Sequence, residues 1–201
     1  LPGPYLAAMS RLTDQVPALA PGVAEQVIEA ELGEPVTETF ARFDAAPLAA
    51  ASLGQVHRAS YGGREVVVKV LRPGVEASVR EDLDVAFRIL NVLNILFPYH
   101  GMRAMSAIVN EFAKRIGDEM DYREEAQNAD TMRRSFAAER RVVVPEVVTG
   151  LTRRRVLVLE FVEGTRIDRL HERIASGDVR LDELMRLLAE VYLKMMLEDG
   201  F

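Results

Sequence analysis

A single lysine lies inside a run of valines, in the segment REVVVKVL at residues 64–71. Side chains of a strand alternate between the two faces of a sheet, so Lys69 shares its face with Val67 and Leu71. An ammonium group among apolar neighbours costs free energy unless a carboxylate or an anionic ligand meets it. The pattern therefore predicts an ion pair or an anion site at Lys69, and the alternative is a sheet-edge amine that reaches water.

Carboxylates that could meet Lys69 lie in the segment GDEMDYREEAQNAD at residues 117–130. Residues three or four apart share a helix face, so Asp121 lies with Glu125, whereas Glu119 and Asp121 point in different directions. A strand lysine followed by a helix glutamate resembles the arrangement with which protein kinases hold the phosphates of a nucleotide. The spacing leaves open which acid pairs with Lys69.

A run of small residues precedes the lysine strand: Ala49, Ala50, Ala51 and Ser52. Small side chains let backbone N–H groups approach a phosphate, as they do in the glycine-rich loop of a kinase. Alanine does not readily adopt positive φ, so this loop should be stiffer than a glycine-rich one. The alternative is a tightly packed strand that binds no ligand.

The composition excludes several classes of function. The formal net charge of −6 argues against a nucleic-acid binder, which needs a basic face. The absence of cysteine excludes disulfides, cysteine-ligated zinc and thiol nucleophiles, and it favours the cytosol. The three histidines are scattered without metal-ligand spacing. We interpret His57 as a residue of a strand face rather than a catalytic base.

The hydrophobic pattern predicts an α+β fold instead of a regular βαβ alternation. Helices are expected within 1–33, at 36–40, over 75–97, once or twice over 102–138, and at 168–175 and 182–199. Two strands, 49–60 and 64–71, are joined by YGGR, a strong hairpin signal. A second hairpin is expected from RVVVPEVV and RRVLVLEFVEG. The apolar segment 83–97 is too short and too polar to span a bilayer.

Four segments together resemble the UbiB/ADCK family of atypical protein-kinase-like proteins, associated with ubiquinone biosynthesis. They are PLAAASLGQVHRA, VVVKVLRPGV, EMDYREEAQN and VLVLEFVEG. The resemblance implies that the Ala-rich loop and Lys69 bind ATP with Mg²⁺. It also implies that Glu119 and Asp121 form the family's E-x-D motif, which braces a lysine from an N-terminal K-x-G-Q motif, and we therefore favour Glu125 as the partner of Lys69. Backbone groups near Glu160 and Val162 would meet the adenine at the hinge.

The same resemblance implies a two-lobed kinase-like fold in three parts. Residues 1–41 would form an N-terminal helical extension, 42–161 the small lobe with inserted helices, and 162–201 the start of the helical large lobe. The K-x-G-Q motif is not in this sequence, and the sequence ends where the family's H-x-D-x-H-P-G-N catalytic loop should begin. We therefore expect a part of a longer protein that holds no catalytic residue and no metal ligand.

Two functions follow from the resemblance. The first is the nucleotide-binding portion of an atypical kinase or ATPase that supports ubiquinone or related membrane-lipid metabolism. The second is a pseudokinase scaffold that organises a membrane-associated biosynthetic complex without phosphoryl transfer. The expected partners are ATP and quinone-biosynthesis proteins or lipid, with no nucleic acid. The expected location is the cytoplasm, with the full-length parent peripheral to or anchored at a membrane.

Overall fold

The computed structural model describes residues 17–50, 53–97 and 100–200, which divide into two compact units between Phe161 and Val162. The first unit contains helices α1 (Val23–Leu32), α2 (Val36–Thr39), α3 (Val75–Leu96), α4 (His100–Glu119) and α5 (Tyr122–Ser135), and strands β1 (Arg42–Phe43), β2 (Ala49–Ala50), β3 (Gly54–Tyr61), β4 (Arg64–Leu71) and β5 (Val156–Glu160). The second contains a 3₁₀ turn (Ile167–Arg169), α6 (His171–Ala175), α7 (Leu181–Lys194) and a π-helical turn (Met195–Asp199).

One antiparallel sheet organises the first unit, in the order β1-β3-β4-β5 with β2 also paired to β3. The β3–β4 hairpin places Tyr61 opposite Arg64. Between them Gly62 and Gly63 have φ of 57° and 77°, the left-handed conformation of a type I′ turn. The turn predicted from YGGR and the strand at 64–71 are confirmed, because glycine adopts this conformation without steric cost. The predicted strand 49–60 is wrong as a single strand, because Ala49–Ala50 forms a separate strand that pairs with β3.

The two faces of β4 meet different neighbours. Val66, Val68 and Val70 are buried against α1, in the cluster that contains Val27 and Ile28. Leu71 packs on the other face, in a second cluster formed with α5. Each fully buried side chain of this size contributes about 1.5–3 kcal/mol. Because Lys69 shares a face with Leu71, burial of the valines turns the lysine toward α5.

The second predicted hairpin is wrong in its first strand. The run at 141–148 forms no strand and contributes one bridge, between Val147 and Leu159. Two further backbone hydrogen bonds hold it beside β5, from Val148 N to the Val158 carbonyl and from Glu160 N to the Glu146 carbonyl, both 2.8 Å long. Pro145 lacks the N–H that a ladder requires, so pairing stays local.

The described part of the N-terminal segment is helical only over α1, which begins after Gly22 and ends at Gly33. Residues 1–16 of the predicted helical segment lie outside the described residues. The segment before α1 is tied to the sheet. Leu19 N donates to Gln55 Oε1 at 3.0 Å, and Arg72 Nη2 donates to the Pro17 carbonyl at 2.7 Å.

His57 has a structural role, consistent with its interpretation as a strand residue. Its side chain is buried and stacks on the ring of Phe43, with centroids 4.9 Å apart. Nδ1 lies 2.9 Å from the Asp44 carbonyl oxygen, and Nε2 lies 2.8 Å from Nε2 of Gln55. If Nδ1 carries the proton, it donates to Asp44 while Nε2 accepts from the Gln55 amide. Both ring nitrogens therefore serve the fold.

Two long helices, α3 and α4, follow β4 as a hairpin. The predicted helix at 75–97 is confirmed by α3, and the region from 102 to 138 forms the two helices α4 and α5. Across the described ranges, no helix is long and apolar enough to cross a membrane.

Candidate functional site

An ion pair joins the C-terminal half of β4 to the first turn of α5. Lys69 Nζ lies 2.6 Å from Oε2 and 2.9 Å from Oε1 of Glu125. The side chains are 31% and 43% exposed, so water screens the pair and its contribution to stability is about 1 kcal/mol or less. The structure thus forms the Lys69–Glu125 pair that the sequence favoured.

Tyr122 lies at the base of this pair. Its ring centroid is 4.8 Å from Lys69 Nζ, close enough for a cation–π contact. The hydroxyl is buried and has no hydrogen-bond partner among the described residues. Burial, assisted by the Glu125 carboxylate, raises the pKa of Tyr122 far above its usual value of 10.0. Tyr122 therefore stays neutral and supports the lysine.

Gly54 makes room for Tyr122. A Cβ atom at this position would collide with the Tyr122 hydroxyl and would lie 2.6 Å from the Val70 carbonyl oxygen. Glycine is required here because of this close approach, since its backbone does not have positive φ.

The pair opens into a cleft of about 500 Å³. The lining residues are Leu53, Gly54, Lys69, Asp118, Glu119, Tyr122, Glu124, Glu125 and Asn128. Four of them are carboxylates and one is a cation, so the cleft is acidic except at Lys69. Within residues 17–50, 53–97 and 100–200, no group of three or more acidic or histidine side chains is arranged to hold a metal ion. An anion would therefore bind at Lys69. A cation bound together with it would reduce its repulsion by the four carboxylates.

Asp121 has a different partner from Glu119 and Glu125. Its carboxylate caps α5 by accepting from Arg123 N at 3.1 Å, and it also accepts from Arg123 Nε at 2.9 Å. These hydrogen bonds hold the pKa of Asp121 below its usual value of 3.8, against the opposing effect of burial. Asp121 is not among the residues that line the cleft.

We expect Asp121→Ala to lower the free energy of unfolding by about 1 kcal/mol, because α5 loses its N-cap. In Asp121→Asn the cap can persist while the charge is lost. Because the folded-state pKa is depressed, the stability from this charge is present above the unfolded-state pKa near 3.8 and is lost as the pH falls through the lower folded-state pKa. Urea unfolding should show the gap between wild type and Asp121→Asn at pH 7 closing below that range. A gap independent of pH would contradict the role of the charge.

The remaining predicted site residues are separate from the ion pair. Ala49 and Ala50 form β2 opposite Val56 and Gln55. Ala51 and Ser52 lie outside the described residues. Glu160 ends β5, and its carboxylate accepts from Glu146 N at 3.3 Å. Val162 is 43% exposed and belongs to the second unit. The cleft therefore gathers Lys69, Glu119 and Glu125 from the predicted set.

Sequence reasoning missed Gly54, Tyr122 and Asn128. A usable signal was present on α5, where Tyr122, Glu125 and Asn128 recur at intervals of three and so share one helix face. The need for glycine at position 54 had no local signal, because it arises from a contact with a residue 68 positions away.

A comparison with known protein families matches residues 11–201 to the ABC1 atypical kinase-like domain. The chain belongs to this family. The observed Lys69–Glu125 pair is similar to the strand-lysine and helix-glutamate arrangement of protein kinases. The family resemblance and the α+β, kinase-like fold expected from the sequence are confirmed.

Several relatives in this family are similar over the whole chain. ACTIVITY OF BC1 COMPLEX KINASE 7 of Arabidopsis thaliana, a chloroplastic protein, is 39% identical over 100% of this chain and 29% of its own length. A probable protein kinase UbiB of Marinobacter nauticus is 33% identical over 100% of this chain and 37% of its own length. The chain therefore spans about a third of the length of these curated relatives.

A solved structure supports the fold. The Mycobacterium tuberculosis protein Rv3197, determined as a complex with erythromycin, aligns with a TM-score of 0.67 at 33% identity. The alignment covers 84% of this chain and 41% of the mycobacterial chain. This ABC1 chain thus has the fold of the corresponding part of a longer relative.

Proposed function

We propose that this chain supplies the phosphate-binding part of an ATP site in an atypical kinase or ATPase of the ABC1 family. The observation that carries the proposal is the Lys69–Glu125 ion pair at 2.6 Å, which opens into a cleft of about 500 Å³. A partly exposed lysine in an otherwise acidic cleft adds little stability, so its position is better explained by an anionic ligand.

The residues present fit a nucleotide phosphate. Lys69 would donate to phosphate oxygens, and Glu125 would hold the ammonium group in position through its two carboxylate oxygens. Tyr122 is buried and supports the lysine from below through the cation–π contact. As the family resemblance implies, the Ala-rich loop would contact the phosphates and the backbone near Glu160 would meet the adenine. Mg²⁺ bound with the nucleotide would offset the charge of the phosphates and of the acidic cleft.

The wider role we propose is support of ubiquinone biosynthesis or related membrane-lipid metabolism, with the division 1–41, 42–161 and 162–201 as extension, small lobe and start of the large lobe. The UbiB names of relatives support the pathway. E-x-D residues Glu119 and Asp121 would act on the extension, although Asp121 also caps α5. The scaffold alternative shares the binding site and differs in predicting binding without turnover by the full-length protein.

Titration calorimetry with ATP, ADP, AMP and adenosine tests the proposal on this chain. If Lys69 holds phosphates, ATP and ADP should bind at least about tenfold more tightly than adenosine, since a hydrogen bond between charged groups contributes roughly 1.5–3 kcal/mol. Equal affinity for ATP and adenosine would overturn the phosphate role. Absence of binding by all four would overturn the nucleotide site in this chain.

We expect Glu119→Gln to strengthen binding of Mg²⁺-free ATP by roughly threefold, because one negative charge is removed from the cleft lining. The gain should shrink when Mg²⁺ accompanies ATP or when salt is raised. Glu81→Gln, an equal charge change at an exposed position on α3 outside the cleft lining, is the control and should leave affinity unchanged. Equal gains in both variants would mean that only net charge matters.

A further inference from the structure

The outer part of the α3–α4 hairpin exposes two rows of large apolar side chains. The row on α3 consists of Val85, Ile89, Val92 and Leu96, exposed by 56%, 54%, 54% and 63%. The row on α4 consists of Met105, Ile108 and Phe112, exposed by 47%, 62% and 56%. Alternating steps of four and three residues are the spacing of a coiled-coil seam. This spacing indicates a surface that packs against other helices.

Both rows lie on the same face of the hairpin. The less exposed side chains mark where the two helices meet: Ala86, Leu90 and Asn94 on α3, and Ser106, Val109 and Ala113 on α4. Asn94 Nδ2 donates to Ser106 Oγ at 3.1 Å across this contact. Successive residues of a helix are about 100° apart. On each helix the exposed row therefore lies roughly a third of a turn around the axis from the residues that contact the other helix, and the direction of this rotation is the same on both helices. In an antiparallel pair such rotations place both rows on one side, so they form one surface, here called the hairpin face.

The central part of the hairpin face is free of carboxylates, and Glu111 lies beside its last member, Phe112. From Val85 to Asn110 the sequence contains no aspartate or glutamate, although the chain has 31 of them. Asp82 and Arg115 end the rows toward the body of the first unit. Two copies of an acidic chain therefore repel each other least along this surface. At roughly 100 Å² for each side chain, the face exposes on the order of 700 Å², close to the ~800 Å² that each partner contributes to a standard interface.

We propose that the chain associates with a second copy of itself through the hairpin face. The two hairpins would pack as an isologous four-helix bundle, in which each copy's rows lie in the grooves of the other's. A bilayer fits this surface less well. Helices that lie in a membrane interface are rich in lysine and arginine on their polar side, and the only lysines or arginines between Val85 and Asn110 are Arg88 and Arg103. The inference does not depend on nucleotide binding.

Sedimentation equilibrium of the wild-type chain and two glutamate variants tests this interface. Wild type should be a dimer in reversible equilibrium with monomer, and Ile89→Glu should raise the dissociation constant at least about 100-fold, since a buried charge without a partner is costly. Ile95→Glu is the matched control. Ile95 is on the same helix and is 78% exposed. It lies about a quarter turn around α3 from the row, on the other side of the plane that contains the two helices, so the Ile95→Glu variant should dimerise like wild type.

Crosslinking gives a second measurement that does not require a charged residue on the face. The chain has no cysteine, so single cysteine variants report one position each. A short bismaleimide should link Ile89→Cys chains covalently into dimers and should leave Ile95→Cys chains without a crosslink. A wild type that stays monomeric up to about 100 μM, or equal effects at positions 89 and 95, would overturn the proposal. So would a monomer that floats with vesicles of phosphatidylcholine and phosphatidylglycerol and loses flotation in Ile89→Glu.

Discussion

Lys69→Ala should weaken ATP binding by about 10–100-fold while the chain stays folded. The loss corresponds to roughly 1.4–2.8 kcal/mol, the range expected for a hydrogen bond between charged groups. Stability should change by about 1 kcal/mol or less, because Glu125 is 43% exposed and regains water when its partner is removed. Titration calorimetry measures the affinity, and urea unfolding of the same samples measures the stability.

Lys114→Ala is the matched control for this experiment. It removes the same charge from an exposed position on α4 that does not line the cleft. If Lys69→Ala and Lys114→Ala weaken ATP binding equally, the effect is one of net charge and Lys69 is not a phosphate ligand. Unchanged affinity in a folded Lys69→Ala variant would remove the central support for the proposed function.

Gly54→Ala should lower the free energy of unfolding by about 2–3 kcal/mol. The new methyl group would collide with the Tyr122 hydroxyl and would lie 2.6 Å from the Val70 carbonyl, a backbone atom of β4 that cannot move without disturbing the ladder. Urea unfolding should show a lower midpoint with an unchanged slope. Because the collision displaces Tyr122, ATP affinity should fall as well.

Two further variants separate crowding from the general effect of replacing glycine. Gly117→Ala lies inside α4 with no described atom beyond its own helix within 4 Å, so it should stabilise by roughly 0.5–1 kcal/mol. Tyr122→Phe removes a buried hydroxyl that has no partner in the described part of the chain, and it should be neutral or stabilising. Combining Tyr122→Phe with Gly54→Ala should recover part of the lost stability. If the double variant is no more stable than Gly54→Ala alone, the Tyr122 hydroxyl is not the group with which the new methyl collides.

Much of the fold was determined by local sequence patterns. The Gly62–Gly63 turn, the helical period of α3 and the alternation along β4 each act over a few residues, so composition and spacing were sufficient to predict them. The first strand of the second hairpin is a wrong prediction. Its composition favours a strand, but Pro145 has no N–H to donate to the backbone hydrogen bonds of a sheet.

The candidate site could be predicted only in part, because local patterns do not fix how distant segments pack. Sequence supplied Lys69 and three possible acids, but the choice of Glu125 depended on how α5 lies across β4. That geometry is set by packing of Leu71, Tyr122 and Ala126 in one cluster. The Asp121 side chain accepts a hydrogen bond from Arg123 N instead of contacting Lys69, because the N-terminus of a helix has free N–H groups. Arg123 is only two residues away in the sequence.

By itself the sequence determined the family, the hairpin at Gly62–Gly63 and the periodicity of the helices. It also showed the unusual position of a lysine in an apolar strand. These features depend on residues that are close together in the sequence. Only the tertiary structure decided that Glu125 meets Lys69, that Gly54 must lack a side chain beside Tyr122, and that two apolar rows share one face of a hairpin. Each of these depends on contacts between residues far apart in the chain, and their geometry follows from packing of the whole unit.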